Sequence, residues 1–507
     1  MPDYMYMLES RLSTEQRAAI LRLQELSTAL EANLYLAGGA VRDLISGMPI
    51  RDLDLVVEGN PSRLAHEMEK GGAQILFEDE KLRHVELILT GDVEASLAGA
   101  RDDFYVRPGT RPEIRWSTVM EDLRRRDFSL NAIAISLNPA SRGLLLDPTN
   151  GLADLERREV RALTIHSFTN QPVRLLRALR YVARMGFKLE SRTAEWFALA
   201  MERELHRTIA PEDAGQELRN AAREEKPAAI LKAWEAHDLV AAIYPQLGKR
   251  HPHYDAIARI IRVRDDMASA GLRPRAVVPM AHAILGRLKS RERSAALNRA
   301  GFPAAEANAI SSLESESLRL VKSLAGRHTA APGDAYALLE KTPLDLLAFT
   351  LAESSNGKAL GKIKNYLHKW RPLRQALPSV EMELEQVGLA RGPKFDKVML
   401  QFFHAQLEGK GRKPEEHPRL LRKLAGIKEP PKKKIKEEKK PKPTAKPGKK
   451  EEALGAAGSE KGAASPSAKP PGFAARLKAA AAAKKKRPAA KKAKGKAKPK
   501  KKKKKKK

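Results

Sequence analysis

The segment Leu36-Ala-Gly-Gly-Ala-Val-Arg-Asp43 is followed, after a short connector, by Arg51-Asp-Leu-Asp-Leu-Val-Val57. The first segment predicts a strand that runs through two glycines into a helix. Because glycine has no Cβ, such a turn lets backbone N–H groups approach an anion such as a phosphate. The two segments together predict a nucleotide-binding turn in a small α+β domain.

The second segment places Asp52 and Asp54 two residues apart on an apolar run. With strand periodicity their carboxylates share one face, while Leu53 and Leu55 point to the other. Two hard oxygen ligands beside a phosphate-binding turn predict a Mg²⁺ site for nucleotidyl transfer. An isolated Asp-x-Asp is more often only a solvated strand face, but the glycine turn beside it favours the functional interpretation.

The length and composition limit the class of protein. With 507 residues the chain exceeds a single core, so two or more domains are expected. The absence of cysteine excludes disulfides and thiolate metal sites. There is no apolar run long enough to span a membrane and no signal-peptide pattern, so we expect a soluble, cytoplasmic protein.

The net charge of +33 is distributed unevenly. Residues 428–507 carry 32 Lys and Arg against 6 Asp and Glu, so the remaining body is only mildly basic. A Lys/Ala/Pro-rich segment of this kind cannot bury enough apolar surface to fold, and like charges extend it. We expect disorder there, with a transient helix near 473–483 and non-specific attraction to nucleic-acid phosphates.

The periodicity of apolar residues predicts an α+β region followed by an all-helical one. An amphipathic helix is expected within residues 1–30, and a helix after the Asn60-Pro61 cap. Prolines mark the joints of the helical region. The predicted strands are Leu34–Leu36, Leu53–Val57, Gln74–Phe77, Val85–Leu89 and Asn131–Leu137.

Two further segments carry charged residues at regular spacing. Glu121-Asp-Leu-Arg-Arg-Arg-Asp-Phe-Ser-Leu-Asn-Ala132 precedes the last predicted strand. Here Arg126 can neutralise a phosphate, and Asp127 and Asn131 can hydrogen-bond a ribose hydroxyl. The other segment, Asn170-Gln-Pro-Val-Arg-Leu-Leu-Arg-Ala-Leu-Arg-Tyr181, predicts a helix with arginines on one face.

These segments, in this order, resemble the class II tRNA nucleotidyltransferase / poly(A) polymerase family (CCA-adding enzyme-like). The resemblance covers residues 33 to about 240 and implies a polymerase-β-like nucleotidyltransferase head followed by helical neck, body and tail domains. The expected domains are the N-terminal helix 1–30, the head 31–151, the neck 152–240, the body and tail 241–427, and the disordered tail 428–507.

The resemblance also implies roles for individual residues. Asp52 and Asp54 would be catalytic residues that hold Mg²⁺. Gly38, Gly39 and Arg42 would contact the triphosphate of the incoming nucleotide.

A helix of the family pairs with the bases of CTP and ATP through an acid pair and an arginine. This chain has Arg174 for the arginine, but Asn170 and Gln171 replace the acids. Gln171 can still pair with a base, but it lacks the charge that would orient Arg174. Arg177 and Arg180 remain available for phosphates, with a plain RNA-backbone contact as the alternative.

Three other segments contain departures from the family or residues with a predicted structural role. Ser96 stands where we would align a third acid, and Glu94 and Glu86 are nearby candidates that can equally be surface acids. In Glu212-Asp-Ala-Gly-Gln-Glu217 the family's arginine is replaced by an aspartate. In the connector 146–155 we expect a turn with Asp154 as the helix cap.

The expected reaction is therefore template-independent addition of nucleotides to an RNA 3′ end. The first expectation is addition or repair of the tRNA 3′ CCA end, or part of it, from CTP and ATP with Mg²⁺. The alternatives are a poly(A) polymerase and, from another class, an RNA-binding protein whose catalysis has decayed. The expected partners are RNA, CTP and ATP, and no membrane.

Overall fold

A computed structural model of the chain describes residues 3–106, 112–411 and 413–427. Residues 428–507, for which the sequence predicts disorder, lie outside the described part. The described residues form two N-terminal helices, a head built on a mixed sheet, and a long helical region. The α+β fold class with a helical remainder is confirmed.

Two helices, α1 (Tyr4–Arg11) and α2 (Thr14–Ala29), occupy the region where one helix was expected. Ser13 separates them. Its Oγ accepts a hydrogen bond from the Gln16 N–H at 3.1 Å, and the Gln16 side-chain oxygen accepts from the Ser13 N–H at 3.0 Å. This reciprocal capping satisfies two backbone donors at a helix start, so a new helix begins there.

The head contains a seven-stranded mixed sheet. Its strands are β1 (Asn33–Ala37), β2 (Leu53–Glu58), β3 (Gln74–Asp79), β4 (His84–Leu89), β5 (Val93–Gly99), β8 (Ala134–Ser136) and β9 (Leu145–Leu146). They are arranged in the order β3-β4-β5-β2-β1-β8-β9. β2 is antiparallel to β1 and parallel to β5, so it lies at the centre of the sheet.

Four of the five predicted strands coincide with β1 to β4, and the fifth is shorter than predicted. Residues Ser129–Asn131 form a 3₁₀ turn, so β8 begins only at Ala134. The sequence analysis missed β5 and a two-stranded ribbon made of β6 (Arg101–Phe104) and β7 (Glu113–Trp116). Two short parallel strands, β10 (Glu159–Val160) and β11 (Lys188–Leu189), lie beyond the head sheet.

Two helices of the head follow strands directly. α3 (Gly39–Ile45) begins after β1 at Gly38, whose φ of +66° is a conformation that favours glycine. α4 (Pro61–Lys70) begins at Asn60, whose side chain accepts hydrogen bonds from the Ser62 and Arg63 N–H groups. The predicted cap at Asn60 is confirmed.

The connector after β9 begins its helix differently from the expectation. The helix α6 (Gly151–Arg157) is capped by Asp147, whose carboxylate accepts from the N–H groups of Gly151 and Leu152 at 2.7 and 2.9 Å. Asp154, the expected cap, is a buried residue within the helix sequence, and its carboxylate accepts from the Ser129 hydroxyl at 2.6 Å. The cap assignment to Asp154 was wrong because this carboxylate is used in a tertiary contact.

The remaining described residues are mostly helical. Prolines stand in the first turn of several helices, at Pro211, Pro227, Pro245 and Pro393, as the sequence predicted for the joints. The helices are α5 (Val119–Arg124), α7 (Ser167–Asn170), α8 (Arg174–Met185), α9 (Ser191–Glu202), α10 (Pro211–Arg223), α11 (Pro227–Glu235), α12 (Val240–Ile243), α13 (Pro245–Arg250), α14 (Tyr254–Ser269), α15 (Val277–Ile284), α16 (Ser290–Arg299), α17 (Ala304–Ala325), α18 (Pro332–Glu340), α19 (Leu344–Glu353), α20 (Gly357–Asn365), α21 (Arg371–Gln386), α22 (Pro393–Leu407) and α23 (His417–Ala425).

Two large apolar cores stabilise these helices and the sheet. The first extends from Leu8 through the head to Ile310, so it joins the sheet to α8 and α10 without a break. The second lies between Met267 and Ala425. Within residues 3–106, 112–411 and 413–427, every helix is too short or too polar to cross a membrane.

Candidate active site

All twelve predicted site residues line one cleft of about 1960 Å³ between the head and the helices that follow it. The sequence segments that supply them are separated by up to about 140 residues, so only the fold brings them together. They are Gly38, Gly39, Arg42, Asp52, Asp54, Arg126, Asp127, Asn131, Gln171, Arg174, Arg177 and Arg180.

The start of α3 lies against the Asp54 carboxylate. The Gly39 N–H donates to Asp54 Oδ2 at 3.1 Å, and a Cβ at Gly39 would lie 2.9 Å from the same oxygen. A Cβ at Gly38 would lie 2.9 Å from the Arg126 guanidinium. Gly38 is favoured by its positive φ, a Cβ at either glycine would crowd a side chain of the cleft, and the Gly39 N–H points at a carboxylate of the protein rather than at a free anion site.

Asp52 and Asp54 form a pair of like charges at the cleft. Asp54 lies in β2. Asp52 is the residue directly before this strand, and its side chain is open to the cleft. Burial and the Asp52 charge raise the pKa of Asp54 to about 6. Desolvation by the surrounding protein raises the pKa of Asp52 most, and the negative charges of Asp43 and Glu94 raise it further. A bound cation would relieve this repulsion.

Ser96 occupies the place beside Asp54 on the neighbouring strand β5, because the two residues are paired in the parallel ladder. The Ser96 hydroxyl donates to Asp54 Oδ1 at 3.1 Å. Glu94 instead forms an ion pair with Arg275 at 2.9 Å, and Glu86 is exposed on β4 opposite Ser96. Among the described residues there is no group of three acidic, histidine or cysteine side chains that could hold a metal.

Arg126 is held over the glycine turn by an acid that the sequence analysis did not single out. Asp122, which is fully buried, accepts from Arg126 Nη2 at 3.0 Å and also binds Arg125. Arg126 Nη1 donates to the Asn131 carbonyl at 3.0 Å. These contacts leave the guanidinium at the cleft near Asp54. Its positive charge lowers the pKa of the Asp54 carboxyl, whereas burial and the Asp52 charge raise it.

A chain of hydrogen bonds links α3 to the segment after α5. Arg42 is buried, with its guanidinium on Asp43 at 2.8 Å and on Asn131 Oδ1 at 2.8 Å. Asn131 Nδ2 in turn donates to Asp127 Oδ1 at 3.0 Å. The polar side chains predicted to contact triphosphate and ribose are thus oriented by one another at the cleft wall.

Arg177 and Arg180 of α8 are paired with buried acids. Glu217 of α10, fully buried, accepts from Arg177 Nε at 2.9 Å and from Arg180 Nε at 2.8 Å. Arg177 also binds Asp127 at 2.9 Å, and Arg180 binds Glu224 at 3.2 Å. Glu217 and Glu224 therefore balance the charges of Arg177 and Arg180, which also line the cleft.

This network shifts the pKa values of its acids downward. Burial alone would raise the pKa of Asp127, but Arg177 and Arg174 lower it to about 2. Burial acts in the same way on Glu217, and Arg180 and Arg177 again reverse it, so its pKa is also lowered. These carboxylates therefore stay charged and fix the position of α8 against the head.

Gln171 and Arg174 contact each other at the junction of α7 and α8. Arg174 Nε donates to Gln171 Oε1 at 3.0 Å, and Arg174 Nη1 donates to the Ser167 hydroxyl at 2.8 Å. Gln171 Nε2 donates to the Tyr105 hydroxyl. Gln171 lacks the charge of the family's acid, but its amide oxygen still accepts a hydrogen bond from the Arg174 guanidinium.

Besides Asp122, sequence reasoning missed the contacts that three further residues make with residues of the cleft. Ser96 was noted only as a departure, although its hydroxyl binds Asp54. Arg184, one turn beyond Arg180 on α8, binds Asp43 at 2.6 Å, and the regular arginine spacing could have indicated it. Tyr105 lies 66 residues from Gln171, and no local pattern pointed to it.

In the head, a strand, a glycine turn and a helix pack onto a strand carboxylate. Residues 34–161 match the family described as the poly A polymerase head domain. The match confirms the resemblance of this part of the chain to class II tRNA nucleotidyltransferases and poly(A) polymerases.

Curated relatives match part of the chain. The A-adding tRNA nucleotidyltransferase of Halalkalibacterium halodurans is 36% identical over 45% of this chain and 56% of its own length. The CC-adding tRNA nucleotidyltransferase of Deinococcus radiodurans is 39% identical over 31% of this chain and 41% of its own length. The chain thus spans about half the length of these relatives.

A solved structure of a CCA-adding enzyme in an apo form is 24% identical, with a TM-score of 0.46. The match covers 84% of this chain and 99% of that one.

Proposed function

We propose that this protein is a template-independent RNA 3′-end nucleotidyltransferase that adds or repairs the tRNA 3′ CCA end, or part of it, from CTP and ATP. The observation that carries the proposal is the convergence of twelve residues from separate motifs on one cleft. The names of the relatives, which add A, add CC or are multifunctional CCA proteins, support tRNA as the RNA. We place the reaction in the cytoplasm.

The residues at the carboxylate end of the cleft fit a divalent cation, and we propose Mg²⁺. Asp52 and Asp54 would hold it, since Mg²⁺ is commonly bound by one or two carboxylates together with substrate phosphates. When bound, the cation supplies charge neutralisation at the triphosphate and activation of the RNA 3′ hydroxyl. The raised pKa of Asp54 supports this fit, because two neighbouring carboxylates favour a positive charge between them.

The other residues of the cleft bind and orient the substrates. Arg126 and Arg42 flank the glycine turn at Gly38 and Gly39, where their positive charge favours a triphosphate. Asn131 accepts from Arg42 and donates to Asp127, and an amide and a carboxylate held together in this way suit a ribose hydroxyl. Holding the nucleotide in this way lowers the barrier by orientation.

The division of labour among domains is part of the proposal. The head, 31–151, would carry the chemistry, and the neck, 152–240, would select the base through Gln171 and Arg174. Residues 1–30 would buttress the head, and 241–427 would form the helical body and tail. Arg177 and Arg180 would act through the position of α8, given their ion pairs with Glu217.

The decisive experiment incubates the protein with Mg²⁺ and labelled CTP or ATP, separately and together. The RNA is a tRNA that lacks its three terminal nucleotides, a tRNA that ends in CC, or a generic RNA. Three additions followed by arrest support full CCA addition, and A on the CC-ending tRNA alone or CC alone supports a partial activity. Long A tracts on generic RNA support a poly(A) polymerase. RNA binding without incorporation would leave only a decayed enzyme.

The lysine-rich residues 428–507 would raise the local RNA concentration, because lysines without interleaved aromatics attract phosphates without reading bases. Deletion of 428–507 is expected to weaken RNA affinity and to flatten its dependence on salt, with the kcat at saturating RNA unchanged. Filter binding at several salt concentrations measures both. Equal affinity of the full and shortened chains would contradict this role.

A further inference from the structure

The Gln171 side-chain amide is held at both ends by the protein. Its Oε1 accepts from Arg174 Nε at 3.0 Å, and its Nε2 donates to the Tyr105 hydroxyl. Tyr105 comes directly after β6 of the ribbon in the head, whereas Gln171 and Arg174 belong to the neck. The contact therefore joins two parts of the chain across the base-selecting end of the cleft.

The two partners allow only one orientation of this amide. A guanidinium can donate but not accept, so the amide oxygen must face Arg174. A tyrosine hydroxyl can donate or accept, and in this structure the Tyr105 hydroxyl accepts from the amide nitrogen and so holds the amide in the orientation that Arg174 sets. Arg174 is itself buried and anchored on the Ser167 hydroxyl at 2.8 Å, which gives the oxygen side a fixed reference.

Orientation matters for an amide in a way that it does not for a carboxylate. A carboxylate only accepts hydrogen bonds, whereas an amide presents an acceptor or a donor depending on which way it is turned. Adenine and cytosine carry an exocyclic amine that donates, where guanine carries a carbonyl that accepts, and uracil resembles thymine in this respect. The observed orientation puts an acceptor beside the Arg174 donor, which complements adenine and cytosine.

We propose that Tyr105 is a specificity-determining positioning residue that keeps the Gln171 amide oxygen toward Arg174 and so preserves selection of ATP and CTP over GTP and UTP. This inference rests on the proposed function. It explains how a chain that lacks the family's acid at position 171 can still discriminate between bases. Tyr105 acts through Gln171 and needs no contact with the nucleotide.

The test measures equilibrium binding of ATP, CTP, GTP and UTP to the full chain by calorimetry, with Mg²⁺ and without RNA. Tyr105→Phe removes one neutral hydrogen bond, which corresponds to a change of about 2- to 10-fold in affinity. We expect ATP and CTP to bind more weakly, GTP and UTP to bind no more weakly than before, and the selectivity ratio to fall by this factor. Tyr35→Phe is the matched control, since its hydroxyl binds Glu58 at 3.2 Å within the same sheet and outside the cleft.

A second pair of variants separates positioning from structure. In Gln171→Glu the carboxylate has no donor end, so selectivity no longer depends on orientation. Tyr105→Phe should then leave the ATP-to-GTP ratio unchanged in the Gln171→Glu background, although it lowers that ratio in the wild type. A merely structural role for Tyr105 would change binding equally in both backgrounds and for all four nucleotides.

The outcomes distinguish this inference from the function beneath it. Wild-type binding that favours ATP and CTP, with selectivity lost only in Tyr105→Phe on the Gln171 background, supports the inference. Selective wild-type binding that Tyr105→Phe leaves unchanged overturns the inference and leaves the proposed function standing. A wild type that binds none of the four nucleotides overturns the proposed function itself.

Discussion

Two groups of carboxylates, one in the cleft and one at its border with α8 and α10, lie in opposite electrostatic environments. Asp52 and Asp54, at the head end, repel each other, and the pKa of Asp54 is raised to about 6. Asp127 and Glu217, toward the neck, are compensated by arginines, and the pKa of Asp127 is lowered to about 2. The first pair has the electrostatics of a cation site, and the second has the electrostatics of a structural network.

This difference distinguishes candidate catalytic carboxylates from structural ones in a charged cleft. Charged side chains line the cleft from end to end, so residue type alone does not tell the two groups apart. The balance of charge does, because a group that is destabilised in its charged form is a candidate for function. The following changes test the contrast, beginning with the largest expected effect.

Removing the cation ligand should abolish catalysis. Asp54→Ala is expected to lower the rate of nucleotide incorporation by about a thousandfold or more, because a metal contributes several kcal/mol to the transition state. RNA affinity should change little, since Asp54 carries no positive charge for phosphates. Single-turnover incorporation on tRNA measures the rate, and Glu69→Ala, an exposed acid on α4, is the control. A loss below tenfold would remove Asp54 from the chemistry.

Breaking the neck network should damage stability instead. Glu217→Gln leaves Arg177 and Arg180 without their shared buried carboxylate, which we expect to cost about 3 to 5 kcal/mol of unfolding free energy. Urea denaturation followed by circular dichroism measures it. Glu195→Gln, an exposed glutamate of α9, should lie within about 0.5 kcal/mol of the wild type. Equal stability of the two variants would contradict a supporting role for Glu217.

Because the pKa of Asp127 is lowered in the folded state, its contribution to stability should be lost at acidic pH. Its folded pKa lies below the unfolded value of 3.8, so its contribution is full above that value and decreases as the pH falls toward about 2. We expect the stability difference between wild type and Asp127→Asn to shrink by about 1 kcal/mol from pH 6 to pH 3. Urea denaturation at pH 6, 5, 4 and 3 tests this. A difference independent of pH would show that Asp127 is not stabilised as a charged group.

The sequence predicted the parts of this contrast that are encoded locally. Alternation of apolar residues located β1 to β4, and the glycine turn with Asp52 and Asp54 defined one end of the cleft. The strand β5 was missed because Val93-Glu-Ala-Ser-Leu-Ala-Gly99 mixes small and polar residues and gives a weak strand signal. Here the flanking strands, rather than propensity, decide the conformation.

The support network was beyond local reasoning. Arg177 and Glu217 are 40 residues apart, and Tyr105 and Gln171 are 66 residues apart, so neither pairing leaves a periodic pattern. The sequence pattern of an arginine on a helix face is the same whether its side chain contacts a phosphate or a buried glutamate. Asp147 and Asp154 illustrate the same point, since both suit a cap and only packing assigned that role to Asp147.

The most direct test of the contrast is the unfolding free energy of Asp54→Asn at pH 8 in the presence of EDTA. If Asp54 is destabilised as a charged group, its neutral replacement should be more stable than the wild type by about 1 to 3 kcal/mol. Asp102→Asn, an exposed aspartate of the ribbon, should leave stability unchanged. An Asp54→Asn variant no more stable than the wild type would contradict the claim that this carboxylate pair is arranged for a cation.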